Sequence, residues 1–102
     1  MEPGGILKAR AWWNNEVVAE SDDVLVVDER HYFPREDVRG EVLQESQTAT
    51  THPEKGPVRY FHVVVDGRLN ADAAWTVPDP EPGYEALEGR IAFWHGIEVE
   101  AL

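Results

Sequence analysis

Cysteine is absent from the 102 residues. Disulfides, thiol nucleophiles and cysteine-ligated zinc are therefore excluded. Serine is nearly absent too: Ser21 and Ser46 are the whole complement, and neither sits in a Gly-x-Ser-x-Gly elbow. That speaks against serine hydrolysis. Positive charge is scarce, with nine Lys and Arg against twenty Asp and Glu, for a formal charge of −11. DNA and RNA binding needs a basic face, so nucleic acid is not the expected partner. An anionic membrane surface is disfavoured for the same reason. No apolar run approaches the roughly 20 residues of a membrane span. Met1-Glu2-Pro3-Gly4-Gly5 lacks a basic start followed by an apolar core, so no signal peptide is read and a cytoplasmic location is expected. Gly-rich phosphate loops, His-Glu-x-x-His and EF-hand spacings are also missing. The four histidines, His31, His52, His62 and His95, are scattered. Their spacing predicts no metal site, and the sequence names no cofactor.

What is present suits a folded globule: 42% hydrophobic and 28% charged residues over one domain's length. A single domain over 1–102 is expected, with 1–5 as a loose leader. Ile6 to Trp13 alternates weakly as a strand, and Asn14-Asn15 is a two-residue turn, because asparagine tolerates positive φ. Glu16–Glu20 returns as its partner. Ser21-Asp22-Asp23 reads as another turn before a short strand, Val24–Val27. His31–Pro34 is extended, since a residue before proline avoids the α region. Arg35–Val38 can form one helical turn, which Gly40 keeps short. Gln44–Thr51 reads as an irregular or edge strand.

Pro57–Asp66 is the strongest strand. Val58, Tyr60, His62 and Val64 share one face; Arg59, Phe61, Val63 and Val65 share the other. Apolar groups on both faces predict a strand covered on both sides. Asp66-Gly67 is a hairpin signal, and 68–77 returns antiparallel. Pro78–Gly83 is a stiff surface loop. Tyr84–Leu87 forms a turn, and two last strands lie around a His95-Gly96 turn. About seven short strands with little helix make an all-β, mostly antiparallel roll or open barrel.

Three clusters carry candidate chemistry. In Thr51-His52-Pro53-Glu54-Lys55-Gly56-Pro57, two prolines and a glycine fix a loop from which His52 and Lys55 project. Histidine serves as acid, base or ligand near neutral pH, and lysine beside glycine can hold an anion. Tyr32, Arg35 and Asp37 surround the turn at Pro34 and could line a polar pocket; core packing and surface ion pairing are the plainer alternatives. Trp75, followed by Pro78 and Pro80, could wall a shallow cleft or simply be buried.

The chain resembles the bacterial domain-of-unknown-function family numbered 427, labelled nucleotidyltransferase-like. The matching pieces are Val18–Ser21, Tyr32–Val38, Thr51–Gly56 with Tyr60, Ala74-Trp75 with Pro78 and Pro80, and Gly89–Trp94. The resemblance implies a compact antiparallel fold similar to the Mss4-like or β-tent group, which includes zinc-binding and ligand-binding members. It also implies a cysteine where this chain has His52. Any thiol role is therefore lost here, and a structural zinc does not carry over, while a hydrogen-bonding role can survive. The paired metal-binding aspartates of a classical nucleotidyl-transfer site are missing.

Taken together, the sequence and the resemblance predict one cleft lined by Tyr32, Arg35, Asp37, His52, Lys55, Tyr60 and Trp75. Its expected occupant is a small polar or anionic ligand, a nucleotide or metabolite. An enzyme reading would use His52 as general acid or base and Lys55 as anion stabiliser. A third reading is a protein-interaction domain using exposed strand edges and the Pro78–Gly83 loop. The chain is expected to be a monomer or homodimer.

Overall fold

A computed structural model describes residues 6–102; the expected leader, 1–5, lies outside the described residues. The described chain is all-β. Its strands are β1 (Ile6–Trp13), β2 (Glu16–Val27), β3 (Arg30–Phe33), β4 (Leu43–His52), β5 (Gly56–Val65), β6 (Arg68–Thr76), β7 (Ile91–Phe93) and β8 (Glu98–Ala101). Three short 3-10 turns, Arg35–Asp37, Gly40–Val42 and Glu85–Leu87, are the helical content among the described residues. All eight strands form one sheet of order β4-β5-β6-β7-β3-β2-β1-β8, antiparallel throughout. Strands β4 and β8 are its two edges, so the sheet is open.

Tight turns join neighbouring strands. Asn14 and Asn15 both have positive φ, as do Asp66 and Gly67, which matches the right-handed twist of a hairpin. Asp28 and Glu29 make the same kind of turn between β2 and β3, although glutamate is a poor occupant of that conformation. The turn expected at Ser21-Asp22-Asp23 is instead an irregularity inside the single long strand β2. There Leu7 pairs with Val24 and Ala9 with Ser21, so β2 carries an extra residue. Ser21 Oγ satisfies the displaced backbone by accepting from Asp23 N–H at 3.0 Å, and donates to Asp37 Oδ2 at 2.6 Å. The polar cluster that signals a turn here stabilises a bulge.

The sheet is bent over one of its faces. Flat, β1 and β5 would stand about 24 Å apart, five spacings of about 4.8 Å. Yet Asn14 Nδ2 donates to Val65 O at 3.1 Å, and Arg68 lies 5.7 Å from the Trp13 ring. Strands β3 and β7 are only four and three residues long. The long hairpins on either side extend past them, and irregularities in β1–β2, β4–β5 and β5–β6 let them curl together. The enclosed face holds the main core: Ala9, Ala11, Val18, Val24, Phe33, Val63, Val65, Ala74, Ile91 and Phe93. Phe33 and Phe93 meet edge to face at 5.7 Å. The alternate residues, Tyr32, Trp75 and Ala92, face the other way and pack with Leu25, Val27, Leu87 and Tyr84. This second face carries the cleft.

Candidate functional site

The cleft follows from strand alternation. On β5, Val58 and Tyr60 point opposite to Phe61 and Val63; on β6, Trp75 points opposite to Ala74. Tyr60 pairs with Trp75, and Trp75 with Ala92 of β7. Trp94 follows directly after β7. The result is a cavity of about 390 Å³ lined by Tyr32, Val58, Tyr60, Trp75, Val77 and Trp94, with Asp28 from the β2–β3 turn, Arg30 at the start of β3, Thr50–His52 at the end of β4, and Pro53 and Lys55 from the β4–β5 connection.

Its wall is aromatic. Tyr60 stacks on Trp94 with centroids 6.2 Å apart, and Trp75 meets Trp94 edge to face at 5.2 Å. Tyr32 meets Trp75 edge to face at 6.2 Å. These are the favoured offset and T-shaped arrangements of rings with a negative face and a positive edge. The wall is braced by Trp94 Nε1, which donates to Asp72 O, and by a hydrogen bond between Thr50 Oγ1 and Tyr60 Oη at 3.2 Å. Burial pushes the Tyr32 phenol pKa up, so its hydroxyl stays protonated.

The His52–Gly56 loop closes one side. His52 Nδ1 accepts the backbone N–H groups of Glu54 at 3.1 Å and Lys55 at 3.2 Å. That nitrogen therefore carries no proton, and the ring acts as a local cap for the turn. This is a hydrogen-bonding role that does not require a thiol. Lys55 O accepts from Glu81 N–H at 2.9 Å, docking the proline-rich loop. Gly56 has φ +103°, and a Cβ there would lie 3.0 Å from Asp79 O, so the close approach requires glycine.

Lys55 is buried, and its Nζ donates to Asp28 Oδ2 at 2.5 Å while lying 5.1 Å from the Tyr84 ring centroid. Burial works against the ammonium, but the hydrogen bond and charge of Asp28 outweigh it, and the lysine pKa is raised. The same hydrogen bond holds the Asp28 carboxyl below its usual range. Lys55 is thus neutralised from within the protein.

Of the seven residues expected to share a cleft, five line this one: Tyr32, His52, Lys55, Tyr60 and Trp75. Arg35 and Asp37 do not. They lie on the 3-10 turn after Pro34, where the chain crosses to the enclosed side of the sheet. Arg35 stacks over Phe61, a neighbour of the main core, at 5.2 Å, and Asp37 accepts from Ser21. Three further charged or aromatic residues of the cleft, Asp28, Arg30 and Trp94, lie outside the expected set. Arg30 is exposed, 5.6 Å from the Trp75 centroid and 6.0 Å from that of Trp94. It has no salt bridge or side-chain hydrogen bond among the described residues. The Asp28-Glu29 turn was the available clue, since it places Arg30 and Tyr32 on the face shared with Trp75.

Both groups required by an enzymatic reading are thereby engaged: His52 Nδ1 by the loop backbone and Lys55 by Asp28. Among the described residues, no group of three or more His, Asp or Glu is arranged to hold a metal ion.

Residues 7–102 match the family described as Domain of unknown function (DUF427), NTP_transf_9, and the chain belongs to that family. No curated protein matches it.

Proposed function

We propose that this DUF427 domain is a binding module for a small, planar, negatively charged ligand, a nucleotide or ring-bearing metabolite. The ring packs against Trp75, Trp94 and Tyr60, and the anionic group meets Arg30. The observation that carries this reading is the position of Arg30: a cation without a carboxylate partner among the described residues, held on the faces of two tryptophans at the cleft. With its guanidinium beside the rings and no hydrogen bond among the described residues, its N–H donors are free for a carboxylate or phosphate. The cavity of about 390 Å³ has a size suited to a small molecule. Other cations also lack a carboxylate partner among the described residues, but within the cleft lining Arg30 is the one that does.

The anion anchor in this reading is Arg30 in place of Lys55 and Arg35. Lys55 instead fixes the cleft's edge through Asp28. Tryptophan fluorescence tests the proposal, because two of the four tryptophans line the cleft. Titration with cyclic mononucleotides and aromatic carboxylates should give saturable changes in emission. Those changes should disappear in Trp75→Ala and weaken in Arg30→Gln. A flat response across the panel, from a folded protein, would reject the reading.

A further inference from the structure

The charge of the cleft can be counted residue by residue. Its lining has three ionised side chains, Asp28, Arg30 and Lys55. Asp28 and Lys55 cancel across a direct contact of 2.5 Å. His52 Nδ1 accepts two backbone N–H groups and is taken up by its own loop. Tyr60 and Thr50 satisfy each other. One unmatched positive charge remains, on Arg30. A second negative charge on a ligand would find no cation on the lining, would share the cleft with the Asp28 carboxylate, and would enter the field of a chain carrying −11. Removing such a charge from water without a partner is costly. The aromatic wall, by contrast, offers flat apolar area that a polyphosphate tail cannot use.

We infer that the ligand is a planar ring bearing a single negative charge, and that Arg30 sets this limit. The inference rests on the reading of the cleft as a ligand site. A carboxylate on an aromatic ring and a phosphodiester cyclised onto a nucleoside present the same chemistry, one delocalised anion in reach of a guanidinium fork. Both leave Arg30 on its tryptophan faces while the ring contacts Tyr60 or Trp94. Nucleotides with a terminal mono-, di- or triphosphate fall outside the class, because their additional charges have no counterpart here.

Calorimetric titration of the full chain with two graded series tests this. The first is benzamide, benzoate and phthalate. The second is adenosine, cyclic adenosine monophosphate, and the mono-, di- and triphosphates of adenosine, without metal. In whichever series binds, the singly charged member is expected to be tightest. It should exceed the neutral member by at least about tenfold, as one charge-assisted contact allows. Arg30→Gln, an exposed position whose folding is checked by thermal melting, should abolish that preference and keep the neutral member's affinity. The series that responds distinguishes a carboxylate from a phosphodiester. Affinity rising steadily with phosphate number would overturn the single-charge limit and leave an anionic ligand standing. Neutral members binding as tightly as the anions would overturn the role of Arg30. No binding by any member would remove the ligand reading itself.

Discussion

Lys55 and Asp28 form an asymmetric ion pair: the lysine side chain is 7% exposed and the aspartate 61%, with Nζ and Oδ2 2.5 Å apart. The buried partner has a costly charge, and the exposed one is screened by water. Deleting the two partners should therefore have unequal effects. Asp28→Asn strands a buried ammonium and is expected to cost about 1–2 kcal/mol, toward the lower part of the range because solvent screens this edge. Lys55→Met keeps the aliphatic stem against Tyr84 and returns Asp28 to water, so it should cost less. Urea denaturation of both variants measures this; a larger loss in Lys55→Met would contradict the asymmetry.

The same pair sets a pH window. The Asp28 pKa is depressed in the fold, so its stabilisation is present above the unfolded carboxylate value of about 3.9 and is lost as pH falls through the lower folded value. The Lys55 pKa is raised, so its contribution is present below about 10.4 and is lost as pH rises through the higher folded value. The stability difference between wild type and Asp28→Asn should be flat from about pH 5 to 9 and shrink at both extremes. A difference constant across the whole range would show that the pair is not its origin.

His52 acts through its ring nitrogen on two backbone amides. His52→Ala should loosen the loop, while His52→Asn should restore part of the turn, because an asparagine carbonyl can accept from N–H groups two residues on. Amide hydrogen exchange at Glu54 and Lys55 should accelerate about five- to thirtyfold in the alanine variant, corresponding to about 1–2 kcal/mol for two modest hydrogen bonds. Equal exchange in the alanine and asparagine variants would refute the capping role.

Asp72 ties together two irregular strands. Ser46 Oγ donates to Asp72 Oδ1 and Thr48 Oγ1 to Oδ2 at 2.8 Å, and His62 Nδ1 accepts the Asp72 N–H at 3.0 Å. The residue itself has φ +52°, which aspartate and asparagine tolerate better than alanine. Asp72→Ala is expected to lower Tm more than Asp72→Asn. The hydroxyl contacts hold the Asp72 carboxyl below its usual range, so this stabilisation is lost as pH falls through the folded pKa. Thermal melts of both variants, near neutral pH and at acid pH, would show it; identical melts would dismiss the bridging role.

The sequence makes much of this sheet legible because alternation and turn chemistry are local. The faces of β5 are visible in Val58-Arg59-Tyr60-Phe61, and Asn14-Asn15 and Asp66-Gly67 announce their turns. The breaks in pattern are harder to read. Ser21-Asp22-Asp23 carries the composition of a turn, yet pairing with β1 continues through it because Ser21 and Asp37 satisfy the bulge. In the cleft, Tyr32, Tyr60 and Trp75 are found from types and order, since their strands are neighbours or nearly so. Arg35 and Asp37 lie three and five positions beyond Tyr32, but Pro34 and the 3-10 turn carry them to the other face. Arg30 is the opposite case: the Asp28-Glu29 turn sets its face, but that two tryptophans from β6 and the end of β7 lie beside it depends on strands distant in the chain.

The pairing of β1 with β8 has a kinetic consequence. Ala9 pairs with Ala101, a separation of 92 residues (101 minus 9), and Trp12 with Glu98. The hairpins β1–β2, β4–β5 and β5–β6 close over short loops and can form early. The β1–β8 edge must enclose nearly the whole described chain before its hydrogen bonds give anything back, so it belongs among the last steps of assembly. Until then β1 exposes a free strand edge carrying Ala9, Ala11 and the Trp12-Trp13 pair. The slow step of folding is thus also the interval in which a nascent chain is most open to pairing with another copy of itself.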